Sequence, residues 1–319
     1  MRVLVTGASG TIGAHLVPRL VERGHDVVAT THNPARLDRL RATGAEAGVL
    51  DGLDAAAVGE TVARVAPDAI IHEMTALSGK PDMRHFDRWF ARTNELRTRG
   101  TDHLLAAARA SGVRRLVVQG YTGWTNARVG GPVKTEEDPV DPNPAREQRE
   151  TLAALATMES AVLAAPLEGI VLRYANLYAP GALDQIVGLV RRRMLPIIGD
   201  AAGIWSWLHV DDAATATIAA LEGGEPGIYN VADDDPAPVA EWLPYLASVV
   251  GAPAPLRIPV WLGRVLAGDV AVQWMTEGRG SSNAKARTAL GWRPAWSSWR
   301  DGFRELAAQP RPSHVHATG

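Results

Sequence analysis

The sequence predicts an α/β protein built on a parallel sheet, and two observations carry that expectation. Up to about residue 170, short apolar runs alternate with longer helical patterns, the signature of successive βαβ units. The first run, Val3-Leu4-Val5, ends in Thr6-Gly7-Ala8-Ser9-Gly10-Thr11-Ile12-Gly13 and leads into a helical pattern from Thr11. A strand, a glycine turn and a helix in that order present backbone amides and a helix N-terminus to an anion, the arrangement that binds phosphate.

In chain order, strands are expected near Val3–Val5, Val27–Thr31, Ala47–Leu50, Ala69–His72, Leu116–Gln119 and Ile170–Tyr174, with helices in the gaps. Pro18 removes a hydrogen bond inside the first helical pattern, so a kink or displaced backbone is expected there. Gly130 to Pro144 holds six prolines or glycines and four acids, and reads as a loop rather than a domain linker. From about Arg146 to Ala165, Leu152, Leu155, Met158, Val162 and Leu163 recur at helical spacing until Pro166 ends the helix. Residues 309–319, with two prolines and two histidines, read as a disordered, solvated tail rather than a metal site.

Composition narrows the class. With 46% apolar residues the chain can bury a large core, as one large or two modest domains. The absence of cysteine excludes disulfides, thiolate nucleophiles and thiolate metal sites, and no metal is expected. A net charge of −2 with mixed signs argues against nucleic acid or an anionic membrane as partner. Met-Arg-Val-Leu-Val-Thr-Gly runs directly into the first strand, with no signal-peptide pattern and no apolar run long enough to span a bilayer, so the expected location is the cytoplasm. Eight of the ten tryptophans follow residue 200, which gives the C-terminal half large, flat, amphipathic side chains.

Within the glycine turn, Gly7 allows the sharp turn, Gly10 lets backbone approach a pyrophosphate and Gly13 lets helix and strand pack closely, with Ser9, Thr11 and Ile12 beside the same ligand. This Gly-x-x-Gly-x-x-Gly spacing resembles the short-chain dehydrogenase/reductase superfamily. Later stretches are similar to its extended branch, which contains sugar-nucleotide epimerases and dehydratases. They are Leu172-Arg173-Tyr174-Ala175-Asn176-Leu177-Tyr178-Ala179-Pro180-Gly181, Trp207-Leu208-His209-Val210-Asp211-Asp212-Ala213, Ile228-Tyr229-Asn230-Val231 and Leu290-Gly291-Trp292-Arg293-Pro294. The resemblance implies a doubly wound Rossmann sheet over residues 1–176 and 205–235, with a smaller substrate-binding lobe from 177–204 and 236–308. It also implies that Tyr174 and Asn176 pass the nicotinamide, Asp51 with Gly52 meets the adenine end, and Met74-Thr75-Ala76 approaches the diphosphate and ribose. For His209 and Asp211, a hydrogen-bonded structural corner is the preferred reading over chemistry.

The second strand ends Thr30-Thr31-His32-Asn33-Pro34-Ala35-Arg36, with no acid for a ribose 2′-hydroxyl. His32, Asn33 and Arg36 therefore point to NADP, the Arg meeting a 2′-phosphate. An ordinary exposed Arg beside Arg39 and Arg41 is the competing account of Arg36.

The resemblance also implies a Tyr, with a Lys four residues on, as the acid of carbonyl reduction. Aligning Glu159 with the Glu that follows that pair leaves Thr151 and Leu155 in the two positions, and no Tyr-x-x-x-Lys occurs elsewhere. Tyr121 takes the slot of the carbonyl-polarising Ser/Thr, so Tyr121 and Thr122 are the candidate catalytic hydroxyls. Arg97 stands where the family's helix Asn belongs, one turn after Asn94. Either the protein binds NADP as a non-catalytic regulator or it transfers hydride without a dedicated acid. A flat apolar pocket from Trp205, Trp207, Trp261 and Trp274 favours the second, although core is the commoner fate of any single Trp. The expected activity is that of an NAD(P)H-dependent ketoreductase acting on an aromatic polycyclic natural product of polyketide or angucyclinone type, similar to atypical actinobacterial reductases. A phenol on such a substrate could protonate its own alkoxide. Sugar-nucleotide epimerisation or dehydration is a weaker third reading, since it leans on the absent Tyr and Lys. The partner is a small-molecule aromatic ketone, and monomer and homodimer both stay open.

Overall fold

A computed structural model describes residues 1–77 and 81–308. Seven strands form one parallel sheet: β1 (Arg2–Thr6), β2 (Asp26–Thr31), β3 (Glu46–Val49), β4 (Ala69–His72), β5 (Arg115–Tyr121), β6 (Glu168–Tyr174) and β7 (Gly227–Val231). Their order is β7-β6-β5-β4-β1-β2-β3, and the winding reverses between β1 and β4. Val3, Leu4 and Val5 are wholly buried because helices cover both faces, which is why the run is continuously apolar rather than alternating. All six strands expected from the apolar runs are present, each within a few residues of the expected bounds.

The helices are α1 (Gly13–Glu22), α2 (Leu37–Arg41), α3 (Ala55–Val65), α4 (Phe86–Glu95), α5 (Thr101–Ala110), α6 (Arg149–Ala164), α7 (Asp184–Arg191), α8 (Val210–Gly223), α9 (Val239–Val249), α10 (Val260–Glu277), α11 (Ala284–Ala289) and α12 (Trp299–Ala308). One sheet face packs on α1 and α8 through Leu16, Val17, Ala213 and Ala216, and the other on α3, α5 and α6 through Val58, Leu104 and Met158. α1 runs through Pro18 without interruption, and the Arg19 side chain donates to the His15 carbonyl at 2.8 Å. A third core gathers Tyr178, Ile197, Trp207, Trp242, Trp299 and Phe303. The 130–144 loop carries a two-residue strand, Val133–Lys134, paired with Gly280–Ser281. The stretch 309–319 lies outside the described residues. Among the described residues no helix is long and apolar enough to cross a membrane.

Candidate functional site

The turn after β1 holds its glycines for three different reasons. Gly7 has φ +77°, and a Cβ there would lie 2.5 Å from the Glu73 carbonyl oxygen. At Gly13 a Cβ would run into the Ala8 backbone, so that glycine sets how closely α1 approaches the strand. Gly10 differs, since a Cβ there would meet only the Gly7 carbonyl, at 3.2 Å. The turn lies at the carboxyl end of β1, where the sheet reverses, and the positive end of α1 there suits a pyrophosphate. A dinucleotide fits this cradle.

Beside the turn lies a groove lined by Ser9, Gly13, Ala14, Arg36, Arg39 and Thr43. Arg36 donates from Nη1 to the Ser9 carbonyl at 2.7 Å, and the Ser9 and Thr31 hydroxyls lie 2.7 Å apart. Asn33 accepts the Ala35 amide at 3.0 Å and caps the short 3₁₀ turn Pro34–Arg36, while His32 is exposed beside it. Arg39 was not singled out by the sequence as a ligand. Its spacing of three from Arg36 on a helical turn was the available signal. Asp51 holds the Leu53 amide at 3.0 Å and Arg92 at 3.1 Å, and a Cβ on Gly52 would press on the Met74 sulfur. Thr75 follows Met74, and the Ala76 amide donates to the Thr93 hydroxyl at 3.0 Å.

At the carboxyl end of β5 an aromatic cavity opens, lined by Tyr121, Trp124, Asn176, Ile204, Trp205 and Trp274. Trp124 stacks on Tyr121 with centroids 5.2 Å apart and on Trp274 at 5.5 Å. The Trp205 indole donates to the Trp274 carbonyl at 2.9 Å, and the Trp274 indole donates to Gln148 at 3.0 Å, which fixes both rings. Of the four tryptophans expected to form a flat pocket, Trp205 and Trp274 line it. Trp207 is wholly buried in the third core and Trp261 is 66% exposed on the surface. Trp124, three residues past Tyr121, takes the place they leave.

The candidate hydroxyls separate sharply. Tyr121 donates to Asn176 Oδ1 at 2.7 Å, and burial raises its phenol well above the ordinary value. Asn176 in turn donates to the Ser206 carbonyl at 2.9 Å. Thr122 is wholly buried, its hydroxyl 2.7 Å from that of Ser281, so it faces the Ser281 strand rather than the cavity. Thr151 donates to Asp87 at 2.6 Å and accepts from Asn94 at 3.0 Å. Tyr174 turns its ring into the core, where it donates to Glu73 at 3.1 Å and lies 2.6 Å from the Thr217 hydroxyl; burial raises the Glu73 carboxyl to about 8. His209 accepts the Asp211 amide at 3.2 Å and stacks on Trp296, while Asp211 binds His15 and Arg19 of α1 at 2.7 and 2.6 Å, a hydrogen-bonded corner.

The chain matches the model described as the NAD dependent epimerase/dehydratase family over residues 3–232. It is 44% identical over 313 residues to a 3-diazoavenalumate denitrifying reductase of a Streptomyces species, covering 95% of this chain and 99% of that protein. It is 31% identical to a 2-alkyl-3-oxoalkanoate reductase of Stenotrophomonas maltophilia, over 79% of this chain and 77% of that one. Among solved structures, UDP-glucose 4-epimerase of Thermus thermophilus in complex with NAD superposes with a TM-score of 0.74 at 25% identity, covering 96% of this chain and 98% of the other.

Proposed function

The chain belongs to the NAD dependent epimerase/dehydratase family, and from that premise we propose that it is an NADPH-dependent reductase of an aromatic natural-product intermediate, working without a Tyr–Lys acid pair. One observation carries the reading: at the Tyr position Thr151 is wholly buried with its hydroxyl engaged by Asp87 and Asn94, and Leu155 at the Lys position is packed into the core. General acid catalysis contributes about 10²–10⁴ in rate, so an acceptor that is already strongly electrophilic tolerates its loss. Bound NADPH supplies a hydride. Tyr121, Trp124, Trp205 and Trp274 give the acceptor an apolar wall at the carboxyl end of β5 that orients it and keeps water away. Arg36 and Arg39 beside Ser9 favour a 2′-phosphate and hence NADP.

The similarity to a diazo-compound reductase favours an arene diazonium as acceptor. Hydride adds to its terminal nitrogen, the aryl diazene then loses N₂, and the N–H hydrogen ends on the ring carbon. No protein acid is consumed, which matches the absent pair. A quinone-like aromatic ketone of polyketide or angucyclinone type is the second reading, favoured by the stacked aromatic walls. Its alkoxide needs one proton, which a neighbouring phenol of the substrate provides.

Both are tested by incubating the protein and NADPH with 4-hydroxyarene diazonium salts, quinones, aryl ketones and sugar nucleotides. The expected result is NADPH loss above the enzyme-free rate, with N₂ release and hydrogen on the ring carbon. A new hydroxyl from a ketone moves the second reading ahead. Binding without turnover across the panel overturns the reductase assignment in favour of a regulator, and turnover of sugar nucleotides alone overturns it in favour of an epimerase.

A further inference from the structure

Arg97 lies in a π-helical turn, Leu96–Gly100, that joins α4 to α5. Such turns re-aim side chains and recur at functional sites. The residue is 5% exposed, and its Nη1 has no hydrogen-bond partner among the described residues. The guanidinium stands 5.4 Å from the centroid of Phe90, whose neighbour Phe86 packs edge-on against both Trp124 and Trp274. Phe90 and Phe86 thus connect Arg97 to two walls of the aromatic cavity, and its charge is felt by His72 at the end of β4 and by Tyr121 at the end of β5.

The surrounding charges do not neutralise it. The carboxylate that its charge reaches, Glu159, is already held by Arg173 through two bonds of 2.7 and 2.6 Å. Burial, with Arg97 nearby, keeps His72 neutral, its value lowered to about 4. Two guanidiniums therefore share one carboxylate, and one positive charge is left without a counterpart. A buried charge in that state is costly, so its retention calls for a ligand that completes it.

We propose that Arg97 binds an ionised oxygen, phenolate or carboxylate, on an aromatic substrate at the cavity lined by Tyr121, Trp124 and Trp274. The substrate class rests on the reductase reading above; the anion site adds the group that orients the ring. A guanidinium on that oxygen draws electron density away from the atom that receives hydride and keeps the acceptor electrophilic, the role a preorganised donor plays elsewhere.

The test is calorimetric titration of the NADP-loaded protein with two probe pairs: 4-methoxycinnamate against its methyl ester, and 4-nitrophenolate against 4-nitroanisole. At least one anion should bind about tenfold or more tightly than its neutral partner, the scale of a hydrogen bond to a charged group, and the pair that responds identifies carboxylate or phenolate. Arg97→Met should remove that preference, leave NADPH affinity within about twofold and leave Tm unchanged or raised, because Glu159 keeps Arg173. Equal binding of anions and neutral partners by the wild-type protein overturns the proposal. So does an Arg97→Met variant that keeps the preference, or one that loses Tm and regains it in Arg97→Lys without regard to ligand. If Arg97→Met does not fold, the wild-type pairs decide alone. Anion preference without turnover on the substrate panel overturns the reductase reading and leaves the anion site standing, whereas turnover without anion preference does the reverse.

Discussion

At the residue scale, Tyr121 and Arg36 carry most of what distinguishes this site. Tyr121 is the candidate hydroxyl that faces the cavity, yet it donates to Asn176 and its phenol is pushed far above its ordinary value, so it releases a proton reluctantly. Tyr121→Phe should accordingly lower kcat by less than about tenfold, one modest oriented hydrogen bond, rather than by the full general-acid factor. A loss of about 10² or more in steady-state turnover would make Tyr121 the acid. Arg36 is exposed, and its side chain is anchored on the Ser9 carbonyl. Arg36→Ala should weaken NADPH by about 1.5–3 kcal/mol and leave NADH nearly unchanged in calorimetric titration. Equal losses for the two cofactors would reduce Arg36 to a brace for the glycine turn.

At the element scale, the strand–turn–helix unit from β1 to α1 separates binding from folding. A side chain at Gly10 meets only one carbonyl, at 3.2 Å, whereas one at Gly13 collides with the Ala8 backbone. Gly10→Val should keep a thermal transition near that of the wild type and abolish NADPH binding. Gly13→Val should destabilise the fold itself, by the several kcal/mol typical of overpacking or more. Similar losses of Tm in both variants would show that Gly10 is structural. The helix α6 offers a second case of division of labour. Asp87 accepts the Glu150 and Thr151 amides at 3.0 and 2.8 Å, so the first turn of α6 is capped from α4 and Thr151 is built into a structural joint.

For the whole molecule, stability should fall as pH rises through the neutral range. Burial lifts the Glu73 carboxyl from 4.5 to about 8 and Asp233 from 3.8 to about 8, one just after β4 and the other just after β7. Both groups hold their protons more tightly in the folded chain, so their stabilisation is full below the unfolded values and is lost as pH climbs through the folded ones. The slope is at most about 1.4 kcal/mol per pH unit for each group. Tm measured from about pH 5 to about pH 9 should decline, and Glu73→Gln should flatten part of that decline while retaining the share from Asp233. A Glu73→Gln profile parallel to the wild type would place the ionisation elsewhere.

The sequence by itself determined the sheet, the glycine turn and the absence of the Tyr–Lys pair. Those are local facts: apolar runs with helical patterns between them, three glycines at fixed spacing, and two residue types missing from one helix. Only the tertiary structure decided which hydroxyl faces the cavity. Thr122 is removed by Ser281, 159 residues away, and Thr151 by Asp87, 64 residues away, contacts that no local pattern announces. The tryptophans divide for the same reason, since Trp205 and Trp207 stand two positions apart, a spacing that would put both on one face of a regular strand, and only packing shows that Trp207 is wholly buried in the third core while Trp205 lines the cavity. Arg97 could be read from the sequence as a departure at one helix position. Its meaning lies in the distribution of charge around it, where Arg173 already holds Glu159 and the second cation is left for a ligand.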